Sequence, residues 1–165
     1  MNSIRSVLAI LVLLFFASCD EQPKPQISNA DRQYFNDVRV IIHSLEASFE
    51  HLKALTAHAD AANPRWIEAL VKDADDLDTI AARLTHLQPP GSLTDYNQRL
   101  LAVASELRHA AESLRASIKY FKSGNTKAAV AQIQQTGSAM VAIRQIVTEL
   151  TDRTHKLETG TAVAP

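Results

Sequence analysis

Six histidines, a run of aspartates, Cys19 and Met140 are the residues of this chain whose types and spacing suggest chemistry. Imidazoles bind metal ions and carry protons near neutral pH. A buried di-metal site in a helical bundle needs inward carboxylates and Glu-x-x-His pairs on two helices. One such pair is present, Glu106 with His109. Met140 with a histidine partner is a conceivable haem ligand set, but no Cys-x-x-Cys-His occurs for covalent attachment. Asp73, Asp75, Asp76 and Asp78 have the carboxylate density of a calcium loop, without its sixth-position glycine or its closing glutamate. No Gly-rich phosphate loop, G-x-S-x-G or H-E-x-x-H is found.

The elements that must position these groups are helices. From Asn29 onward, apolar residues recur in the alternating three-four spacing of a bundle seam. The first predicted helix runs from Asn29 to about Ala61, with Phe35, Val38, Ile42, Leu45, Phe49, Leu52, Thr56 and Ala59 on its seam. Asn63-Pro64 then reads as an N-cap followed by proline at the first helical position, where its missing N–H costs nothing. Ile67, Leu70, Ala74, Leu77, Ala81 and Leu84 form the second seam, ending near Gln88. Pro89-Pro90-Gly91 breaks the chain, and Ser92 with Asp95 resembles a capping box for a third helix. Its seam carries Leu93, Tyr96, Leu100, Val103, Leu107, Ala110, Leu114, Ser117 and Phe121. Gly124 is a natural C-terminal stop, and Asn125 is placed to cap a fourth helix. That helix carries Ala129, Ile133, Thr136, Met140, Ile143, Val147, Leu150, Thr154 and Leu157, and Gly160 with the tail after it is expected to fray.

Connections this short favour antiparallel neighbours. The expected fold is therefore all-α, an up-down-up-down antiparallel four-helix bundle. The alternative is a pair of long hairpins that bury their second faces on dimerising. Many seam positions are Ala, Ser or Thr, so the helices should approach closely and leave little room for a cofactor.

Placed on these helices, the reactive groups scatter. With the seam as heptad positions a and d, His43 and His155 fall at b, His51, His58 and His109 at c, and His86 at f. His51 and His58 lie about 10.5 Å apart along one face by helical rise, too far to share an ion. Surface histidines are the expectation. Met140 is read as core filler, and the aspartate run as a solvated helix face. Val40, Leu101 and Val141 fall outward. Trp66 flanks its seam, where it either anchors a partner or covers the bundle end, and packing is the expectation. No polar residue is expected to be forced into the core. No catalytic, cofactor-binding or metal-binding residue is therefore assigned, and the chain is read as no enzyme.

Composition limits the partners. With 17 basic and 18 acidic residues, the chain offers no reason to expect nucleic-acid binding or a polybasic membrane patch. Four glycines, few aromatics and abundant alanine favour helix over sheet.

The N-terminus carries the most specific signal. Arg5 supplies a short positive region, Val7 to Phe16 an uninterrupted apolar run, and Ala17-Ser18 two small residues before Cys19, the sole cysteine. Ten apolar residues span roughly 15 Å as a helix, half of a hydrocarbon core, which argues against a permanent transmembrane segment. The segment resembles the signal peptide of a bacterial lipoprotein. That resemblance implies cleavage before Cys19 and diacylation of its thiol, with acyl chains that hold the protein to a membrane. It also implies that Asp20, next to the lipidated cysteine, retains the protein at the inner membrane in a Gram-negative source.

The predicted organisation is a signal peptide over 1–18, a lipidated N-terminus and tether over 19–28, a bundle over 29–158 and a disordered tail over 159–165. The expected function is a lipid-anchored extracytoplasmic module of the cell envelope that binds or scaffolds. Its partners would be the membrane, through Cys19, and an envelope protein. The alternatives are a metal or small-ligand carrier using surface histidines, and an envelope stress or inhibitor protein.

Overall fold

Ser28 opens the first helix through a capping box. Its hydroxyl accepts from the Asp31 N–H at 3.1 Å, and Asp31 Oδ2 accepts from the Ser28 N–H at 2.8 Å. In the computed structural model, which describes residues 27–160, this box starts α1 (Asn29–Ala57). The signal segment, Cys19, most of the tether and the tail from 161 lie outside the described residues. Helix α1 stops short of the expected Ala61. A proline disfavours helical backbone in the residue before it, and the chain spends His58 to Asn63 turning into Pro64.

Asn63 caps α2 (Pro64–His86) as its spacing predicts, its side-chain oxygen accepting from the Arg65 N–H at 3.0 Å. The Pro-Pro-Gly break is followed by a single 3-10 turn, Gly91–Leu93, and then by α3 (Thr94–Lys122). The predicted Ser92–Asp95 capping box does not form. The 3-10 turn moves the cap position to Leu93, and the Ser92 hydroxyl instead donates to Asp31 Oδ1 at 2.7 Å. Gly124 takes φ +74°, a left-handed conformation that favours glycine, and Asn125 caps α4 (Thr126–Thr159) by accepting from the Ala128 N–H at 3.2 Å. Gly160 ends α4 in the same left-handed conformation, where fraying was expected.

Among the described residues there are four long helices and no strand. They pack as a bundle, each helix against its neighbour in sequence. Pairs across each interface fix the register. Trp66 meets Leu55, His51 meets Asp73 and Arg83 meets Ser44 between α1 and α2. Arg115 meets Asp78 and Arg108 meets Thr85 between α2 and α3. Thr136 meets Ala110 and Tyr96 meets Thr154 between α3 and α4.

The core follows the predicted seams of α2 and α3 closely, with Leu70, Leu77, Leu84, Leu100, Leu107 and Leu114 fully buried. It is also wider than the predicted seams: Tyr34 and Ile41 of α1, Ile80 of α2 and Ala104, Ala111 and Ile118 of α3 are buried as well, while the expected Ile42 and Phe121 are only partly so. A helix with neighbours on two sides presents a broader apolar stripe than the two positions of a coiled coil.

The core also holds polar groups, against expectation. Asp31, Asp73, Asn97, Ser117, Thr136 and Thr154 are all buried. Most have partners: Tyr34 donates to Asn97 Oδ1 at 2.7 Å, and Ser117 donates to the Leu114 carbonyl at 2.7 Å. Tyr34, Phe35 and Tyr96 meet edge-to-face at one end of the bundle, with centroids 5.5 to 6.3 Å apart. No described helix is long and apolar enough to cross a membrane.

Candidate functional site

The interface that closes the bundle, between α1 and α4, is its loosest. α4 packs extensively on α3 and touches α1 far less. In α4 the seam position facing this interface between Ile133 and Met140 is the small Thr136, and Gly137 beside it carries no side chain. Three hollows run along this interface. Starting from the Asn29 end, they measure about 170 Å³ beside Val38 and Thr151, about 400 Å³ beside Leu45 and Val147, and about 390 Å³ beside Leu52 and Met140. Two ion pairs strap the interface: Arg39 with Glu158 Oε2 at 2.6 Å, and Arg144 with Glu50 at 3.1 Å.

The last hollow is a groove with three walls. Phe49, Leu52 and Thr56 of α1 face Ile133, Thr136 and Met140 of α4, and Leu114 of α3 forms the floor. Its two hydroxyls are engaged by their own helices: Thr56 donates to the Leu52 carbonyl at 2.8 Å, and Thr136 to the Gln132 carbonyl at 3.1 Å. The charged residues of its lining are Lys53 and Arg144, both cationic. Glu50 sits between them, 3.3 Å from Lys53 and 3.1 Å from Arg144. The hydrogen bond from Lys53, helped by Arg144, holds the Glu50 carboxyl below its ordinary value. Chemically, the groove offers an apolar slot with positive charge at its mouth and no free hydroxyl on its walls.

A second site sits on the opposite flank. His51 Nδ1 lies 2.6 Å from Asp73 Oδ1, joining α1 to α2. Asp73 is buried, while its predicted place was a solvated helix face; the expectation holds for exposed Asp75 but not for Asp73. Its second oxygen, Oδ2, has no partner. Burial pushes the Asp73 carboxyl above its ordinary value, against the opposing pull of His51.

All six histidines are exposed, including His109, whose Nδ1 lies 3.7 Å from Glu112, and among the described residues no three His, Cys, Asp or Glu side chains gather around a common point. Met140 is half-buried on the groove wall, not fully in the core. Trp66 packs: it is buried, donates its indole N–H to the Leu55 carbonyl at 2.9 Å and stands edge-on to Phe121. Val40, Leu101 and Val141 are exposed as predicted. Cys19, the predicted lipidation site, lies outside the described residues.

Sequence reasoning passed over Lys53, Arg144 and the groove between them, because cations on a polar helix face carry no motif. Gly137 is the one available signal, a glycine in the interior of a long helix, where it weakens the element by roughly 1 kcal/mol relative to alanine.

A family described as protein of unknown function (DUF2937) matches residues 70–164, more than half of the chain, and the chain belongs to that family. The match takes in most of α2 and all of α3 and α4. No curated protein and no solved structure matches the chain.

Proposed function

We propose that this family member is a lipid-anchored extracytoplasmic binding module of the cell envelope, acting by holding a ligand or partner and not by catalysis. The bundle is read as up-down-up-down and antiparallel. Support for that reading is that residues late in each helix meet residues early in the next, as Leu55 meets Trp66 and Ala110 meets Thr136. The anchor rests on the sequence alone, on the apolar run followed by Ala17, Ser18 and Cys19.

The observation that carries the binding half is the loose α1–α4 interface. Bundles commonly place ligand sites between facing helices. Here three hollows lie along this one interface, and a further hollow lies at the Pro89–Pro90 end between α1 and the end of α2. Its engaged hydroxyls, and its two lining cations paired with Glu50, suit retention of a ligand better than bond-breaking.

Replacing Cys19 with alanine tests the anchor in whole cells. The expected result is release from the membrane fraction or accumulation of an uncleaved precursor. Unchanged membrane association together with unchanged processing overturns it.

A further inference from the structure

We propose that the groove between Lys53 and Arg144 binds a free long-chain fatty acid, its aliphatic chain along Ile133 and Met140 and its carboxylate at the two cations. This deepens the binding-module reading and rests on it.

Four observations carry the assignment. The hollow, about 390 Å³, falls within the roughly 300–1,000 Å³ of small-molecule sites, and it is concave, reaching a floor residue on a third helix. A protein partner would need a broad surface of about 800 Å² per side, not a slot. The walls present methyl and methylene groups, and both wall hydroxyls are already bonded to their own helices, so no polar atom waits for a polar ligand. The charges of the lining are positive, which selects a head group that is negative. Glu50 now lies against both cations, and a ligand carboxylate can take the same hydrogen bonds that Glu50 accepts.

Gly137 adds an independent point. A Cβ built there would meet nothing within 4 Å, so no neighbour among the described residues requires glycine at this position. It sits on the groove wall in the interior of α4, where it weakens the helix. The space it leaves widens the slot.

The test uses the full chain in phosphatidylcholine vesicles with a photoactivatable diazirine analogue of palmitic acid, followed by mapping of labelled peptides. Labelling should concentrate in residues 49–56 and 133–144 and disappear under a large excess of palmitate. Gly137→Leu, which fills the slot, should abolish it. The double variant Lys53→Gln/Arg144→Gln should weaken it roughly tenfold, the factor commanded by a lost charge-assisted contact. That double variant carries the test alone if Gly137→Leu fails to fold. Four results overturn the proposal: labelling that palmitate does not displace, equal labelling by the matching long-chain alcohol, crosslinks to a second copy of the chain, or labelling that rises in Cys19→Ala. The last would mean that the anchor's own acyl chains fill the slot. Loss of the anchor leaves groove labelling intact, so failure of the anchor and failure of the ligand assignment are told apart.

Discussion

The Ser92 hydroxyl donates to Asp31 Oδ1 at 2.7 Å and ties the turn before α3 to the first turn of α1, across 61 residues of chain. Ser28 engages the other oxygen of the same carboxylate through its backbone N–H and its hydroxyl. Asp31 therefore caps one helix and docks another.

The hydrogen bonds from Ser92 and then Ser28 hold the Asp31 carboxyl below its ordinary value of 3.8. A carboxyl lowered by folding stabilises the protein above its unfolded value, and that stability is lost as pH falls through the folded value. Asp31→Asn should cost about 1 kcal/mol at neutral pH, on the scale of a lost cap. The gap to wild type should close in acid below 3.8, as followed by thermal melting with circular dichroism. An equal gap at both pH values would count against this role.

Asp73 is expected to behave in the opposite sense. Its burial raises the carboxyl above 3.8, so folding favours the protonated form. Stability from this group is complete below the unfolded value and declines as pH rises through the folded one. Asp73→Asn should therefore stabilise the bundle by about 1 kcal/mol at neutral pH, because an ionised group with an unpartnered oxygen is removed from the interior. The advantage should shrink in acid. A variant that is less stable than wild type at neutral pH would show that the His51 contact outweighs burial.

Trp66 is the sole tryptophan, so its fluorescence reports on the end of the bundle where α1, α2 and α3 meet. Trp66→Phe keeps most of the packing but leaves the Leu55 carbonyl without the indole N–H, at a cost of about 1 kcal/mol. Trp66→Ala should cost about 3–5 kcal/mol by opening a cavity against Phe121. Urea denaturation of both variants gives the comparison. Similar losses in the two would mean that the hydrogen bond matters and the ring packing does not.

Tyr34 and Asn97 form a buried hydrogen bond between α1 and α3, beside the edge-to-face contacts of Tyr34 and Phe35 with Tyr96. Tyr34→Phe strands Asn97 Oδ1 in the interior and should cost about 1–3 kcal/mol. Adding Asn97→Leu should recover part of that loss, because no orphaned polar atom remains. A double-mutant cycle in denaturant should give a coupling of at least about 0.5 kcal/mol. Strict additivity would remove this pair as a link between the two helices.

What the sequence determined by itself was local. Asn63-Pro64, Pro89-Pro90-Gly91 and Gly124-Asn125 mark the helix breaks because proline lacks an N–H, glycine tolerates positive φ and asparagine caps the next turn. The apolar period of 3.6 residues fixed which faces of α2 and α3 turn inward. The outward placing of Val40 and Val141 and the exposure of every histidine followed from the same period.

Only the tertiary structure decided the rest, because it depends on groups far apart in the chain. Ser92 could cap its own helix or reach Asp31, and the position of α1 made the choice. Asp73 reads as one of four like aspartates until α1 covers it and brings His51 to 2.6 Å. The groove exists because small residues of α4 come opposite Phe49 and Leu52 of α1, nearly 90 residues apart in the chain. Periodicity states which face a residue occupies; the depth of packing at that face is set by the volume of whatever arrives from the other helix.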